Sequence, residues 1–326
     1  MKSKFFILWI IWSLLGAVLI YAVSSGDSKN TLMQIIAMVT STAPFLGLLL
    51  AFGSPDAAQY FKNWLRNEKN SIYYTAGGIV LLFAIPGILT FTFNPYTTTI
   101  FAFIVFAVFG SLKQLNNNTF SITWTDIALW LILWIPFDLR WSMEMHQMLD
   151  YTWWSLSISV IAVIGWYGYR GAEIGFNLVP KSKDLYVALL ALLMIMVVVI
   201  PPGIVSGFLT FAIPEFFDVQ KSAARFIGLF LTVALPEELF FRGLLYRGLQ
   251  NISSKKWVPM AVSSIAFGLM HWNNANDLTM QITYVTLATI AGIGYAWAYK
   301  KSGNNLFAAV LTHTLVDWVW KLVLAG

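Results

Sequence analysis

Six ionisable side chains interrupt apolar runs in the last third of the chain: Glu237, Glu238 and Arg242 in "PEELFFR", His271 in "FGLMH", and His313 and Asp317 in "HTLVD". Ionisable groups at membrane depth are costly and face a protein interior or a water-filled cavity, so each is a functional candidate. Glu238 and Arg242 stand at i and i+4, on one helical face, where an ion pair offsets the burial of both. Glu237 points about 100° away from Glu238 and is left outside that pair. A carboxylate without a close cation suits general acid or base work. His313 and Asp317 are again at i and i+4, so they can meet or face one cavity. Glutamate with histidine can bind and deprotonate a water, and a second imidazole with a polar neighbour can donate hydrogen bonds to an oxyanion. Together they make a set for amide hydrolysis. Ser263 and Ser264 lie about two turns before His271 but have no evident activating partner.

The rest of the chain must hold these groups in place. Of 326 residues, 58% are hydrophobic and 11% charged, against roughly 25% charged in a soluble domain. The expected fold is all-α, a polytopic membrane bundle of about nine to eleven helices. Apolar runs fall near residues 5–23, 31–53, 72–93, 97–111, 122–138, 152–169, 184–201, 222–249, 257–272, 278–299 and 304–323. The run 97–111 is the shortest, with "NPY" marking a turn before it. Cysteine is absent, which removes disulfides, thiolate metal sites and cysteine nucleophiles. The net charge of +5 sits in short gaps between apolar runs, which fits the positive-inside bias and argues against nucleic acid as a partner.

Lys62, Arg66, Lys69, Lys113, Arg170, Lys181, Lys183, Arg247, Lys255, Lys256, Lys300 and Lys301 fall on one side together with Lys2 and Lys4. That side is read as cytoplasmic, with a cytoplasmic N-terminus. The first apolar run is too long for a usual signal-peptide core and lacks an A-x-A site, so it reads as a retained helix. Basic residues are sparser on the other side: Lys29, Arg140, Lys221, Arg225 and Lys321. Trp141, Trp153, Trp154 and Trp272 stand where an interfacial belt is expected. His146 falls in an external loop and reads as a surface residue, Arg247 as a snorkelling side chain. Residues 56–70 read as either a short amphipathic surface helix or a solvated loop. With cytoplasmic helix ends near residues 250, 257 and 303, Glu237 lies about 20 Å deep, His271 about 21 Å and His313 about 15 Å, at about 1.5 Å rise per residue. Three helices thus deliver ionisable groups to one layer.

The three motifs resemble the E-E-x-x-x-R, F-x-x-x-H and H-x-x-x-(N/D) signatures of the CPBP family. Its members are the CAAX proteases and bacteriocin-processing enzymes, including type II CAAX prenyl endopeptidases and Abi proteins. The resemblance covers roughly the last 140 residues, so residues 181–326 are expected to be the protease domain, while residues 1–180 hold membrane helices without a recognised motif. It implies a glutamate-type intramembrane endopeptidase with a cytoplasm-open cavity. Glu237, assisted by His271, would activate water, and His313 and Asp317 would stabilise the oxyanion. Glu238 and Arg242 would hold the motif helix, and Phe267 would pack beside His271. Prenyl-processing members have Asn where this chain has Asp317. An ionised carboxylate donates no hydrogen bond, so Asp317 must be protonated or must instead orient His313.

The implied partners are a membrane-associated protein or peptide, prenylated or carrying a leader, and the bilayer itself, with a bacterial plasma membrane as the setting. No cofactor is expected. Glu237, His271 and His313 nevertheless also match a two-histidine, one-glutamate zinc set, to which Asp317 would add an oxygen. A non-catalytic peptide-binding or bacteriocin-immunity protein would use the same cavity. A transporter fits less well, because the charges cluster in the last third and no inverted repeat is visible.

Overall fold

A computed structural model describes residues 2–25, 31–91, 93–115, 120–138, 151–212 and 218–325. The expectations for Lys29, Arg140, Trp141 and His146, and for the side chains of Lys2 and Trp153, lie outside the described residues. Apart from a two-residue strand pairing, the fold is an all-α polytopic bundle. Among the described residues, six helices are long and apolar enough to cross a bilayer, and two apolar helices are shorter. The chain divides into two compact units, Met1–Ala172 and Glu173–Gly326.

The first unit contains α1 (Lys2–Ser25), α2 (Leu32–Phe52), α3 (Pro55–Asn67), α4 (Ser71–Leu89), α5 (Pro95–Gln114), α6 (Trp124–Asp138) and α7 (Tyr151–Ala162), which runs on into π-helical turns at Val163–Tyr169. α1 and α2 cross closely at Gly47, where an added Cβ would lie 2.2 Å from Ser13 Oγ. α5 is longer than the run 97–111 implied, because Asn94 caps it by accepting from the N–H groups of Tyr96 and Thr97, with Pro95 in its first turn. α3 settles the reading of 56–70 in favour of a helix, and one face of it is buried in the unit. Phe61 stacks on Phe5 with centroids 4.5 Å apart, and Lys62 lies 4.1 Å over the Tyr167 ring. Trp154 departs from the belt expectation: it is buried edge-on against Phe83 and Phe101. Its place near a helix end carried no information about which face it occupies.

This unit also buries an ion pair. Arg170 Nε lies 3.5 Å from Asp126 Oδ1, and both side chains are almost fully enclosed. Trp166 Nε1 donates to Asp126 Oδ1, while the Thr123 N–H and hydroxyl both donate to Oδ2. Arg170 donates in turn to the carbonyls of Leu115 and Ser121.

The second unit begins with α8 (Ser182–Val205). A helical stretch then runs without interruption through α9 (Val219–Leu229), π-helical turns at Phe230–Ala234, α10 (Leu235–Glu238), further π-helical turns at Leu239–Tyr246 and α11 (Arg247–Ile252). α12 (Val258–Leu269), α13 (Leu278–Lys301) and α14 (Leu306–Val323) complete it, and Thr210–Phe211 pairs antiparallel with Leu324–Ala325. Asp218 starts the long stretch: its carboxylate accepts the Lys221 N–H, which holds its carboxyl below the usual range. At the far end Arg247 is tied down rather than simply reaching for the interface, donating to the Glu173 carbonyl and to Gln250 Oε1.

Candidate active site

The "PEELFFR" segment sits where the helical register changes. Pro236 has no backbone N–H to give to the preceding turn, and the Leu235 N–H bonds back five residues to the Phe230 carbonyl. The wider turns on both sides of α10 re-aim the side chains they carry, a local irregularity frequent at functional sites. α12 is held hard against α13 through Gly268, where an added Cβ would meet Thr289 Oγ1 at 2.0 Å and the Val285 carbonyl at 2.6 Å. Small residues allow this closeness between membrane helices. The approach brings Phe267 and His271 to α13.

Glu238 and Arg242 are fully buried and meet at 2.9 Å, Nη1 to Oε1. Arg242 Nη2 donates to the Gly292 carbonyl at 2.8 Å, and its guanidinium lies 4.7 Å from the Phe267 ring centroid and 5.3 Å from that of Tyr295. The same Glu238 oxygen also accepts from His313 Nδ1 at 2.9 Å. Glu238 therefore joins the arginine of its own helix to a histidine of α14. The other nitrogen of His313, Nε2, lies 3.5 Å from Asp317 Oδ2 and 3.9 Å from Glu237 Oε2.

Glu237 has 12% of its side chain exposed and Asp317 has 21%, against none for Glu238. Glu237 Oε2 is buried and, among the described residues, takes no hydrogen bond from the protein; Glu238 Oε2 and Arg242 Nε are in the same position. The fold thus brings Glu237, Glu238, Arg242, His313 and Asp317 into one cluster.

His271 stands beside this cluster. It lies just past the end of α12, not within a helix as the run 257–272 implied. Its Nδ1 is 2.9 Å from the Phe267 carbonyl, an acceptor, so Nδ1 carries a proton, and in the neutral ring Nε2 keeps its lone pair. Its ring packs at 4.8 Å on Phe267 and 5.2 Å on Tyr284, and Phe267 in turn sets its edge on His313 at 5.5 Å. Phe267 is the spacer between the two histidines. Ser263 donates its hydroxyl to the Met260 carbonyl, a local bond that does not activate it.

Sequence reasoning missed three participants: the second bond of Glu238, the Gly292 carbonyl and Tyr295. The glycines and alanines of "IAGIGYAWA" signal close helix contact there, but no spacing rule names the partner. Among the described residues, no group of three or more histidines and carboxylates is arranged to hold a metal ion; the zinc set would need its side chains to move together.

Residues 219–319 match the family model described as type II CAAX prenyl endopeptidase Rce1-like. Over this segment the chain is similar to the CAAX-protease family. All the motif residues, from Glu237 to Asp317, fall inside it. Curated proteins and solved structures offer no significant match to the chain. The family implies that the domain is a protease, hence a hydrolase, that works in the membrane on membrane-associated peptides.

Proposed function

We propose that the chain is a glutamate-type intramembrane endopeptidase in which Glu237 is the water-activating base. The observation that carries this reading is the contrast between adjacent glutamates. Glu238 is enclosed and one of its oxygens is shared between Arg242 and His313, whereas Glu237 is partly exposed and stands outside that pairing, 3.9 Å from His313 Nε2. In the proposed step a water gives its proton to Glu237 as its oxygen attacks the peptide carbonyl carbon. The carbonyl electrons move to oxygen, and the resulting oxyanion takes a hydrogen bond from His313 Nε2–H. Glu237 then returns the proton to the leaving amine as the C–N bond breaks. His271 assists by accepting a hydrogen of the same water at Nε2.

Donation by His313 at both nitrogens requires its imidazolium form. Glu238 at Nδ1 and Asp317 near Nε2 are the carboxylates that balance that charge, so we assign Asp317 to orienting His313. We further propose that residues 181–326 form the protease domain, that residues 1–180 bear on substrate choice, and that the N-terminus is cytoplasmic in a bacterial plasma membrane, on the loop charges. The substrate proposed is a prenylated or leader-bearing peptide.

The test uses the full chain in nanodiscs and a fluorogenic farnesylated CAAX-type peptide, with and without a strong chelator. Cleavage that survives chelation and disappears in Glu237→Gln is the expected result. Cleavage lost to the chelator and restored by zinc would replace the metal-free mechanism. Cleavage retained by folded Glu237→Gln would remove Glu237 as the base.

A further inference from the structure

His313 is hydrogen-bonded in the plane of its ring but held in that plane by something else. A hydrogen bond tolerates tens of degrees of misalignment, and the terminal torsion of a histidine is broad. The bond from Nδ1 to Glu238 and the approach of Asp317 to Nε2 at 3.5 Å both act at the ring's edge, so they fix roughly where the nitrogens point and leave the ring free to rock out of its plane. Tyr295 of α13 lies flat on the imidazole, with centroids 4.5 Å apart and planes 14° from parallel. Phe267 abuts the imidazole edge-on, at 84°, and packs edge-on against Tyr295 as well. Tyr295 is 2% exposed and belongs to a helix that carries none of the three motifs. Its ring also lies 5.3 Å from the Arg242 guanidinium. Both groups that bond Glu238 thus rest against one tyrosine.

We propose that Tyr295 is a positioning residue whose ring face sets the plane of His313 and so the direction of Nε2. Its consequence for catalysis rests on the function proposed above; its effect on His313 does not. The stack, not the hydroxyl, carries the role. Phenylalanine should therefore replace it and an aliphatic residue should not.

The chain has three histidines, so nitrogen-15 NMR of histidine-labelled protein in nanodiscs can follow His313, identified by the signal lost in His313→Gln. Wild type and Tyr295→Phe should each give one sharp pair of ring-nitrogen signals for His313. In Tyr295→Leu the pair should broaden or split as the ring samples several orientations. With the farnesylated peptide, Tyr295→Phe should keep kcat within about twofold, while Tyr295→Leu should lose about 10- to 100-fold in kcat with KM within about threefold, as expected for misplacing a catalytic group.

One sharp His313 pair at wild-type positions in the leucine variant would overturn the proposal. So would an equal fall of kcat in the phenylalanine variant, which would assign the role to the hydroxyl. Should Tyr295→Leu fail to fold, Tyr295→Met is read in its place, and failure of both reduces Tyr295 to core packing. A wild type that leaves the peptide uncut counts against the proposed function alone, because the nitrogen signals still decide the fate of Tyr295.

Discussion

Each unit of the chain buries an arginine against a carboxylate, and the two pairs are built differently. In the first unit both Asp126 oxygens are occupied by Thr123 and Trp166, and Arg170 spends two of its nitrogens on backbone carbonyls. In the second, one Glu238 oxygen serves both Arg242 and His313, and the cluster opens through Glu237 and Asp317, which keep some exposure. Among the described residues each arginine leaves its Nε without a hydrogen bond, so the difference lies in the carboxylates: both Asp126 oxygens are bonded, whereas Glu238 Oε2 and Glu237 Oε2 are not. Incompletely satisfied buried carboxylates are costly and accumulate where chemistry needs reactive groups. The first pair reads as a lock and the second as a scaffold for neighbours that remain available.

The strongest attack on that distinction is Glu237→Gln, which should lower cleavage by about 10²- to 10⁴-fold, the range of a general base, with the melting temperature nearly unchanged. Glutamine keeps the shape and removes the base. Parallel melting and activity curves that fell together would show that Glu237 is structural, and the contrast between the clusters would fail.

Breaking either pair should cost about 3–5 kcal/mol, because a buried charge is stranded. Arg170→Met and Arg242→Met should both show it in denaturation. The informative step is to remove both partners. Asp126→Leu with Arg170→Met should recover most of the stability, as apolar replacements of buried pairs often do, and should leave cleavage intact. Glu238→Leu with Arg242→Met should recover stability but not cleavage, because His313 has lost the acceptor for Nδ1. Cleavage by the second double variant would reduce Glu238 to a simple partner of Arg242.

Asp317→Asn probes the open side more gently. If the carboxylate orients His313, asparagine should reduce kcat about tenfold, a loss of roughly 1.4 kcal/mol in barrier terms, across pH 6 to 8. Full activity over that range would show that no charge is needed at this position.

What could be read ahead of the structure was local. The apolar runs anticipated the helices, and the i, i+4 rule anticipated the meeting of Glu238 with Arg242. The bond from His313 to Glu238 spans 75 residues and depends on how α14 packs against the motif helix, which no local rule supplies. Regular helix geometry likewise placed His271 inside a helix that ends at Leu269, and it could not foresee π-helical turns around Pro236. Tyr295 was illegible for a simpler reason: an aromatic residue in an apolar helix is ordinarily lipid- or core-facing. Only the neighbouring glycines hinted at a close contact.

The smallest test lies in the first unit. Thr123 donates to Asp126 Oδ2 through both its N–H and its hydroxyl, whose oxygen also accepts the Asp126 N–H, so Thr123→Ala removes the two hydroxyl bonds and leaves the N–H bond to Oδ2. The expected loss is about 1 kcal/mol, visible as a modest fall in melting temperature, with kcat and KM both unchanged. A lock can lose some of its several bonds without consequence for chemistry elsewhere. If cleavage fell further than the loss of folded protein explains, the Asp126 cluster would have a part in catalysis or substrate handling, and the division into lock and site would have to be redrawn.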